Sequence, residues 1–217
     1  MKTLNTYINE WRANTSSVSH IKKQNLQYFI YKNDAKSVIS IFDNDWPQLE
    51  YYKDKVYIDG KQIRVGSDGW TINEYDKGTY YVEIKDINNV TNCHKMFNYC
   101  FDLISVPWFD TSKVKDMGCM FAGCQRLEEV SIFDTSNVVN MNQMFYGCRS
   151  IKEVPLFDTR NVKDMFEMFY AARKLKNVPL FDTSKVTNMV KMFEVCNNLS
   201  EETIERWSKI YDFETNK

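Results

Sequence analysis

The amino-acid sequence predicts an α/β solenoid preceded by a small β domain, and two observations predict it. The tripeptide Phe-Asp-Thr begins at residues 109, 133, 157 and 181, so it recurs every 24 residues. Apolar residues fill the intervals in the same order each time, whereas the first 84 residues show no such repeat. A fixed period of about 20 to 50 residues indicates stacked units that cannot bury their apolar faces alone. We therefore predict five rungs over residues 85–200.

Each column of the repeat holds one residue type or a close substitute. The columns are Val90, Val114, Val138, Val162 and Val186; Cys93, Met117, Met141, Met165 and Met189; the Met-Phe pairs that begin at Met96, Met120, Met144, Met168 and Met192; Cys100, Cys124, Cys148, Ala172 and Cys196; and Leu103, Leu127, Ile151, Leu175 and Leu199. The first unit, residues 85–108, lacks the tripeptide, as terminal repeats often do.

Local spacing predicts one helical piece and one strand in each unit. Apolar residues three or four apart between Met117 and Leu127 indicate a short helical turn, and Val130 to Phe133 indicates a short strand. A unit of this kind falls within the range of about 20 to 29 residues that is typical of leucine-rich repeats.

The consensus Phe-Asp-Thr-Ser-Asn/Lys-Val-x-x-Met-x-x-Met-Phe-x-x-Cys-x-x-Leu-x-x-Val-Pro closely resembles the BspA-type leucine-rich repeats of bacterial surface lipoproteins. The resemblance covers somewhat over half of the chain. It implies a right-handed solenoid that binds proteins or host surfaces, with no catalytic activity in the repeat itself and no particular ligand.

Residues 15–84 are predicted to form the small β domain. Six short β-rich segments suggest an immunoglobulin-like sandwich or half-barrel: Gln27–Tyr31, Ser37–Phe42, Lys55–Ile58, Lys61–Val65, Trp70–Ile72 and Thr79–Ile84. Asp59-Gly60 between two of them predicts a tight hairpin, since a type I′ turn needs positive φ at both central residues. No linker follows Ile84, so this domain is expected to cover the first rung.

Helices are predicted at both ends of the chain. In residues 1–14, one helical face carries Leu4, Tyr7, Ile8 and Trp11; it either packs on the β domain or anchors the chain to a partner. In residues 201–217, Ser200 is a suitable N-cap, and a capping helix should close the last rung with Ile204, Trp207, Ile210 and Tyr211.

Charge and hydropathy exclude several classes of partner. Lys plus Arg number 28 and Asp plus Glu number 29, which leaves no excess of cations for a nucleic-acid-binding face. No stretch of about 18 apolar residues predicts a membrane span. The N-terminus has no apolar export segment or lipid-acceptor cysteine. We expect an intracellular or virion-associated protein, with the cell surface left open.

Few residues are candidates for chemistry. The column cysteines are expected to be reduced, buried thiols, because Ala172 occupies the same slot; Cys119 alone lies outside the columns as a candidate accessible thiol. Each Asp of the tripeptide is expected to accept a backbone N–H two residues later rather than to bind calcium. With only two histidines and no catalytic motif, the sequence predicts no enzyme, metal site or cofactor.

The positions outside the columns therefore carry the predicted function. Tyr146, Phe166 and Tyr170 lie on adjacent repeats and form an aromatic patch if they face outward, although they could equally pack between rungs. The favoured hypothesis is a non-catalytic protein–protein or protein–glycan interaction module. The alternative is a structural or accessory component of a larger assembly, such as a phage particle, anchored through the N-terminal helix.

Overall fold

The computed structural model describes residues 28–71 and 73–214, and its regular strands form one open, mixed sheet. The strands are β1 (Phe29–Asn33), β2 (Val56–Ile58), β3 (Lys61–Ile63), β4 (Gly78–Ile84), β5 (Leu103–Val106) and β6 (Glu129–Val130). Their order across the sheet is β3-β2-β4-β1-β5-β6. Only the pair β5–β6 is parallel. Within the described residues the α-helices are α1 (Leu49–Tyr52) and α2 (Glu201–Trp207).

The predicted fold class, an α/β leucine-rich-repeat solenoid, is wrong, because the described chain is mostly β with two short helices. No α-helix lies between residues 90 and 200, all of which are described. The segments that were expected to be helical are runs of hydrogen-bonded turns instead. Cys119 has a φ of 55°, and the equivalent residue of every other repeat is also left-handed, which no α-helix accommodates.

The predicted immunoglobulin-like sandwich or half-barrel is also wrong, because the N-terminal strands belong to the same sheet as the repeats. β1 lies between β4 and β5, so Ile30 pairs with Tyr81 on one side and Ser105 on the other. The Phe29 ring lies 5.3 Å from that of Phe97, and both belong to one continuous core. The Ser37–Phe42 segment forms isolated bridges rather than a strand.

The predicted hairpin between β2 and β3 is confirmed. Asp59 and Gly60 have φ values of 50° and 75°, and the register that follows pairs Ile58 with Lys61. The turn chemistry of these two residues was therefore a sufficient local signal.

One run of residues in each repeat is joined to the following repeat by backbone hydrogen bonds that share one direction, whereas bonds elsewhere in the repeat, such as Val139 N–H to the Lys115 carbonyl, run the opposite way. At each junction, four alternate N–H groups donate to four carbonyls of the following repeat. At the first junction the donors are Cys93, Lys95, Phe97 and Tyr99, and the acceptors are Asp116, Gly118, Met120 and Ala122, with N···O distances of 3.1, 2.9, 2.9 and 2.7 Å. Of the intervening N–H groups, that of His94 donates to the Asn92 side chain, and those of Met96 and Asn98 donate to carbonyls three residues earlier. We call the eight residues of each such run, beginning with Cys93 in the first repeat, the turn segment.

One phenylalanine from each repeat forms a continuous stack in the core. Between Phe97 and Phe193, neighbouring ring centroids of this column are 5.8, 5.5, 5.7 and 5.7 Å apart. Phe42 stacks on the Phe97 end. At the other end Trp207 and Tyr211 meet Phe193 edge-on, an arrangement that the ring quadrupoles favour.

The chain end does not form the predicted C-terminal capping helix. Ser200 does cap α2, since its side chain accepts a hydrogen bond from the Thr203 N–H. Of the four residues expected to close the last rung, however, Ile204 and Ile210 are each 41% exposed. Beyond the helix, Tyr211 meets Phe193 edge-on and Phe213 stacks on it, so the helix supplies only part of the cover.

Left-handed residues in the turn segments provide a test of this backbone. Gly147 and Ala171 share one column, with φ values of 67° and 56°. A Cβ on Gly147 would have no neighbour closer than 3.8 Å, so it would fit sterically. We expect Gly147→Ala to lower the free energy of unfolding by about 1 kcal/mol through backbone strain alone.

Ala171→Gly is the matched variant, measured in the same urea titrations. Relief of strain should outweigh the greater flexibility of unfolded glycine, which costs about 0.5–1 kcal/mol, and leave the protein equally or slightly more stable. A loss of stability at both positions would contradict the left-handed assignment.

Candidate binding surface

Two columns of Asp and Asn fix the bends of every repeat. The predicted column is confirmed: Asp110, Asp134, Asp158 and Asp182 each accept a hydrogen bond from the backbone N–H two residues later. Sequence reasoning missed a second column that does the same directly before the turn segments, formed by Asn92, Asp116, Asn140, Asp164 and Asn188. Its signal was present, because every Met of the first Met column follows an Asp or Asn.

The cysteine column is confirmed as reduced and is largely buried, but it does more than fill space. The six cysteines are free thiols. Cys124, Cys148 and Cys196 each donate a hydrogen bond to a phenylalanine carbonyl of the preceding repeat, at 2.9, 3.0 and 2.9 Å. Ala172 has no donor for the equivalent carbonyl. Burial raises the pKa of the Cys196 thiol to about 12 and raises that of Cys124 well above its ordinary value.

Cys119 lies in a ladder of polar side chains rather than free on the surface. Its thiol donates to Gln143 Oε1 at 3.3 Å, and Gln143 Nε2 donates to Glu167 Oε2 at 2.7 Å. The side chain is half-buried, and burial raises the pKa of its thiol. Cys119 is therefore a protonated hydrogen-bond donor that links neighbouring repeats.

Gly118 leaves room for a polar cluster beside that ladder. A Cβ at this position would lie 2.7 Å from Asn142 Oδ1, 2.8 Å from Asn140 Nδ2 and 3.0 Å from His94 Nδ1. Asp116 Oδ1 accepts from the Gly118 N–H and from Asn140 Nδ2. The cluster fixes the course of the turn segments, and a side chain at residue 118 would disrupt it.

Tyrosine rings run along the outer face of the turn segments. Tyr146 and Tyr170 stack in parallel, with centroids 4.9 Å apart and planes 6° apart. Tyr99 is 54% exposed and lies against Gly123, where a Cβ would come within 2.5 Å of Tyr99 Cδ1. Phe101, 39% exposed, lies 5.8 Å from Tyr99. We call Tyr99, Phe101, Tyr146 and Tyr170 the tyrosine stripe.

Of the three residues predicted to form an aromatic patch, Tyr146 and Tyr170 belong to this stripe and Phe166 does not. Tyr146 and Tyr170 meet and are half-buried, so part of each side chain is accessible. Phe166 makes no ring contact with either of them in the described chain, and its backbone N–H is held by Asp164. Tyr99 and Phe101 were missed, because the first repeat places them in different columns. The predicted anchor residues Leu4, Tyr7, Ile8 and Trp11 lie outside the described residues.

The described residues hold neither a cluster of metal-ligand side chains nor a membrane-spanning helix. Among residues 28–71 and 73–214, no three His, Cys, Asp or Glu side chains converge as metal ligands. Neither described helix has the length and the apolar sequence needed to cross a bilayer.

Fold and surface together define a β-rich repeat protein with an aromatic stripe. Residues 73–178, just under half of the chain, match a protein-family model described as "Mycoplasma protein of unknown function, DUF285". The chain is therefore similar to that family from residue 73, just before β4, to residue 178, near the end of the fourth repeat. No curated protein and no solved structure matches the chain.

The thiol environments predict low reactivity towards thiolate-selective reagents. Because burial raises the pKa values of Cys93, Cys100, Cys124, Cys148 and Cys196, these thiols should stay protonated at pH 8. We expect native protein to react slowly with an aromatic disulfide reagent and all six thiols to react after denaturation. Rapid reaction of one or more column cysteines in the native state would contradict their burial.

The Asx turns predict a loss of stability in acid. Hydrogen bonds from Ser112, Arg160 and Ser184 hold the pKa values of Asp110, Asp158 and Asp182 below their ordinary range. Their ionised forms favour the native state, so this stabilisation is present above the unfolded pKa of about 4 and is lost as pH falls through the folded values. Urea unfolding between pH 6 and pH 2 should show that decline.

A variant that replaces these three Asp residues with Asn is the control. Asn keeps an acceptor oxygen for each turn and cannot titrate. The variant should fold and depend less on pH in this range; an unchanged pH dependence would assign acid sensitivity to other groups.

Proposed function

We propose that this chain is a non-catalytic protein-binding module that uses the tyrosine stripe as its contact surface. The observation that carries the proposal is the row of tyrosines along the turn segments, in which Tyr99 is 54% exposed and Tyr146 stacks on Tyr170. Tyrosine is enriched among the residues that dominate binding energy at protein interfaces, because it offers a large rigid ring and a hydrogen-bonding hydroxyl.

Ring orientation favours a protein over a glycan as the partner. Tyr146 and Tyr170 face each other with planes 6° apart, so their facing surfaces are already in contact. The hydroxyls and the exposed parts of these half-buried rings suit side chains and backbone groups of a protein surface. A sugar ring generally stacks on an open aromatic face, which this pair does not offer between its members.

The remaining distinctive residues of the repeat have structural roles, which supports a non-catalytic function. The Met and Phe columns of the inner repeats are fully buried, and the column thiols are hydrogen-bonded and protonated. The Asp residues of both Asx columns are engaged by backbone N–H groups. The BspA-type resemblance of the repeat consensus is consistent with binding, and we propose the same role here.

The test is affinity capture with the intact chain and with a Tyr146→Ala, Tyr170→Ala double variant. Ala122 occupies the same column, so alanine is compatible with the fold at these positions. We expect capture of one or more proteins by the wild type and at least a tenfold loss of each by the double variant.

Tyr81→Ala is the matched control, because Tyr81 is 38% exposed on β4, outside the turn segments. Equal capture by the wild type and both variants would remove the stripe as the contact surface. If a glycan is retained and no captured protein is lost in the Tyr146, Tyr170 double variant, the partner is a carbohydrate and the proposal of a protein partner is wrong.

A further inference from the structure

The backbone donors of the last turn segment differ from those of every earlier one, whose alternate N–H groups are all hydrogen-bonded to the following repeat. At each of the four junctions, N–H groups of the turn segment bind carbonyls of the following repeat. In the last turn segment the equivalent donors of Met189, Lys191 and Val195 have no acceptor among the described residues. The fourth, Phe193, faces the hydroxyl of Tyr211.

The core columns are also incompletely covered at this repeat. Met165 and Val162 are fully buried in the preceding repeat, whereas Met189 and Val186 are only partly buried. Cys196 and Leu199 are partly buried as well. Trp207 covers the part of the last repeat near Phe181 and Phe193. The end of the last turn segment is therefore an edge that combines apolar side chains with unsatisfied donors.

The opposite end of the repeats has no corresponding edge. The carbonyl of Asn92 accepts the Trp46 indole N–H at 2.9 Å, and the carbonyl of Met96 accepts the Asp43 N–H at 3.1 Å. The segment before β2 thus occupies two of the four acceptors that a preceding repeat would otherwise use, and Val90, Cys93 and Met96 beneath it are at most 1% exposed. The two ends differ in chemistry: the first is covered, and the last offers N–H groups.

We propose that this edge binds a turn segment of the same 24-residue type carried by a different protein chain. Such a segment presents carbonyls on alternate residues, three of which match the donors of Met189, Lys191 and Val195 in spacing, while the fourth would take the place of the Tyr211 hydroxyl at Phe193. Its apolar side chains would complete the half-covered columns. An unsatisfied donor that becomes buried without an acceptor costs about 1–3 kcal/mol, so an apolar surface without carbonyls is a poor partner.

A second copy of this chain does not supply the complement. At its first end, two of the four alternate carbonyls are taken by Trp46 and Asp43 and the core columns are fully covered, and its last turn segment offers donors, not acceptors. The edge is distinct from the tyrosine stripe and does not depend on the function proposed for it.

The probe is a synthetic peptide of residues 135–154, which contains a complete turn segment from an inner repeat. Amide hydrogen exchange of the intact chain is measured with and without excess peptide. We expect the Met189, Lys191 and Val195 amides to exchange at least tenfold more slowly when the peptide is bound. A peptide of the same composition in scrambled order should have no effect.

Two variants locate the binding site. Met189→Asp places a charge in the partly buried column at the edge, and Val190→Asp places the same charge on the adjacent residue, which is 44% exposed. We expect the first to weaken peptide binding at least tenfold and the second to leave it unchanged, with thermal unfolding as a check on both folds.

If the amides of the wild-type chain are not protected at millimolar peptide, the proposal is overturned. Equal protection by the scrambled peptide would also overturn it. Self-association that protects the same amides without peptide would also overturn it, in favour of a second copy. These outcomes are independent of the capture experiment, because neither Tyr146 nor Tyr170 is altered.

Discussion

The constraint on which this structure depends is the direction of the hydrogen bonds between the turn segments of successive repeats. In each turn segment, alternate N–H groups point towards the following repeat and alternate carbonyls point back. This requires a left-handed residue at regular intervals, and non-glycine residues such as Lys95, Gln143 and Glu167 adopt it. The strain is tolerated because four backbone bonds, the phenylalanine stack and the Asx turns hold the same geometry together at every junction.

The sequence analysis located the core because burial follows composition directly. The Val, Met, Phe, Cys and Leu columns of the inner repeats lie in the interior, and the Asp column forms the expected turns. It failed on helix content, since apolar spacing of three and four residues is shared by helices and by consecutive turns. Lys95 or Glu167 gives no local sign of positive φ, unlike Gly123. The single sheet was also missed, because pairing of β1 with β5 joins segments about 70 residues apart in the sequence and no local pattern encodes it.

The sequence predicted only those residues of the tyrosine stripe that share a column of the repeat. Tyr146 and Tyr170 occupy equivalent positions, so their contact follows from the repeat period. Tyr99 is one position out of register and reaches the stripe because Gly123 has no side chain. The position of Tyr99 thus depends on the lack of a side chain at Gly123 in the next repeat. The sequence does not show that these two residues are in contact, and only the structure does.

The uniform direction of these bonds has an electrical consequence. Peptide groups aligned head to tail add their dipoles, as they do in an α-helix, with the positive pole where N–H groups end the row. Here roughly half of the peptide groups in the turn segments are aligned, across five repeats. The face formed by Met189, Lys191 and Val195 is therefore the positive end of this row of peptide groups, in a chain with a formal charge of only −1. Field and shape thus distinguish one end of the protein from the other.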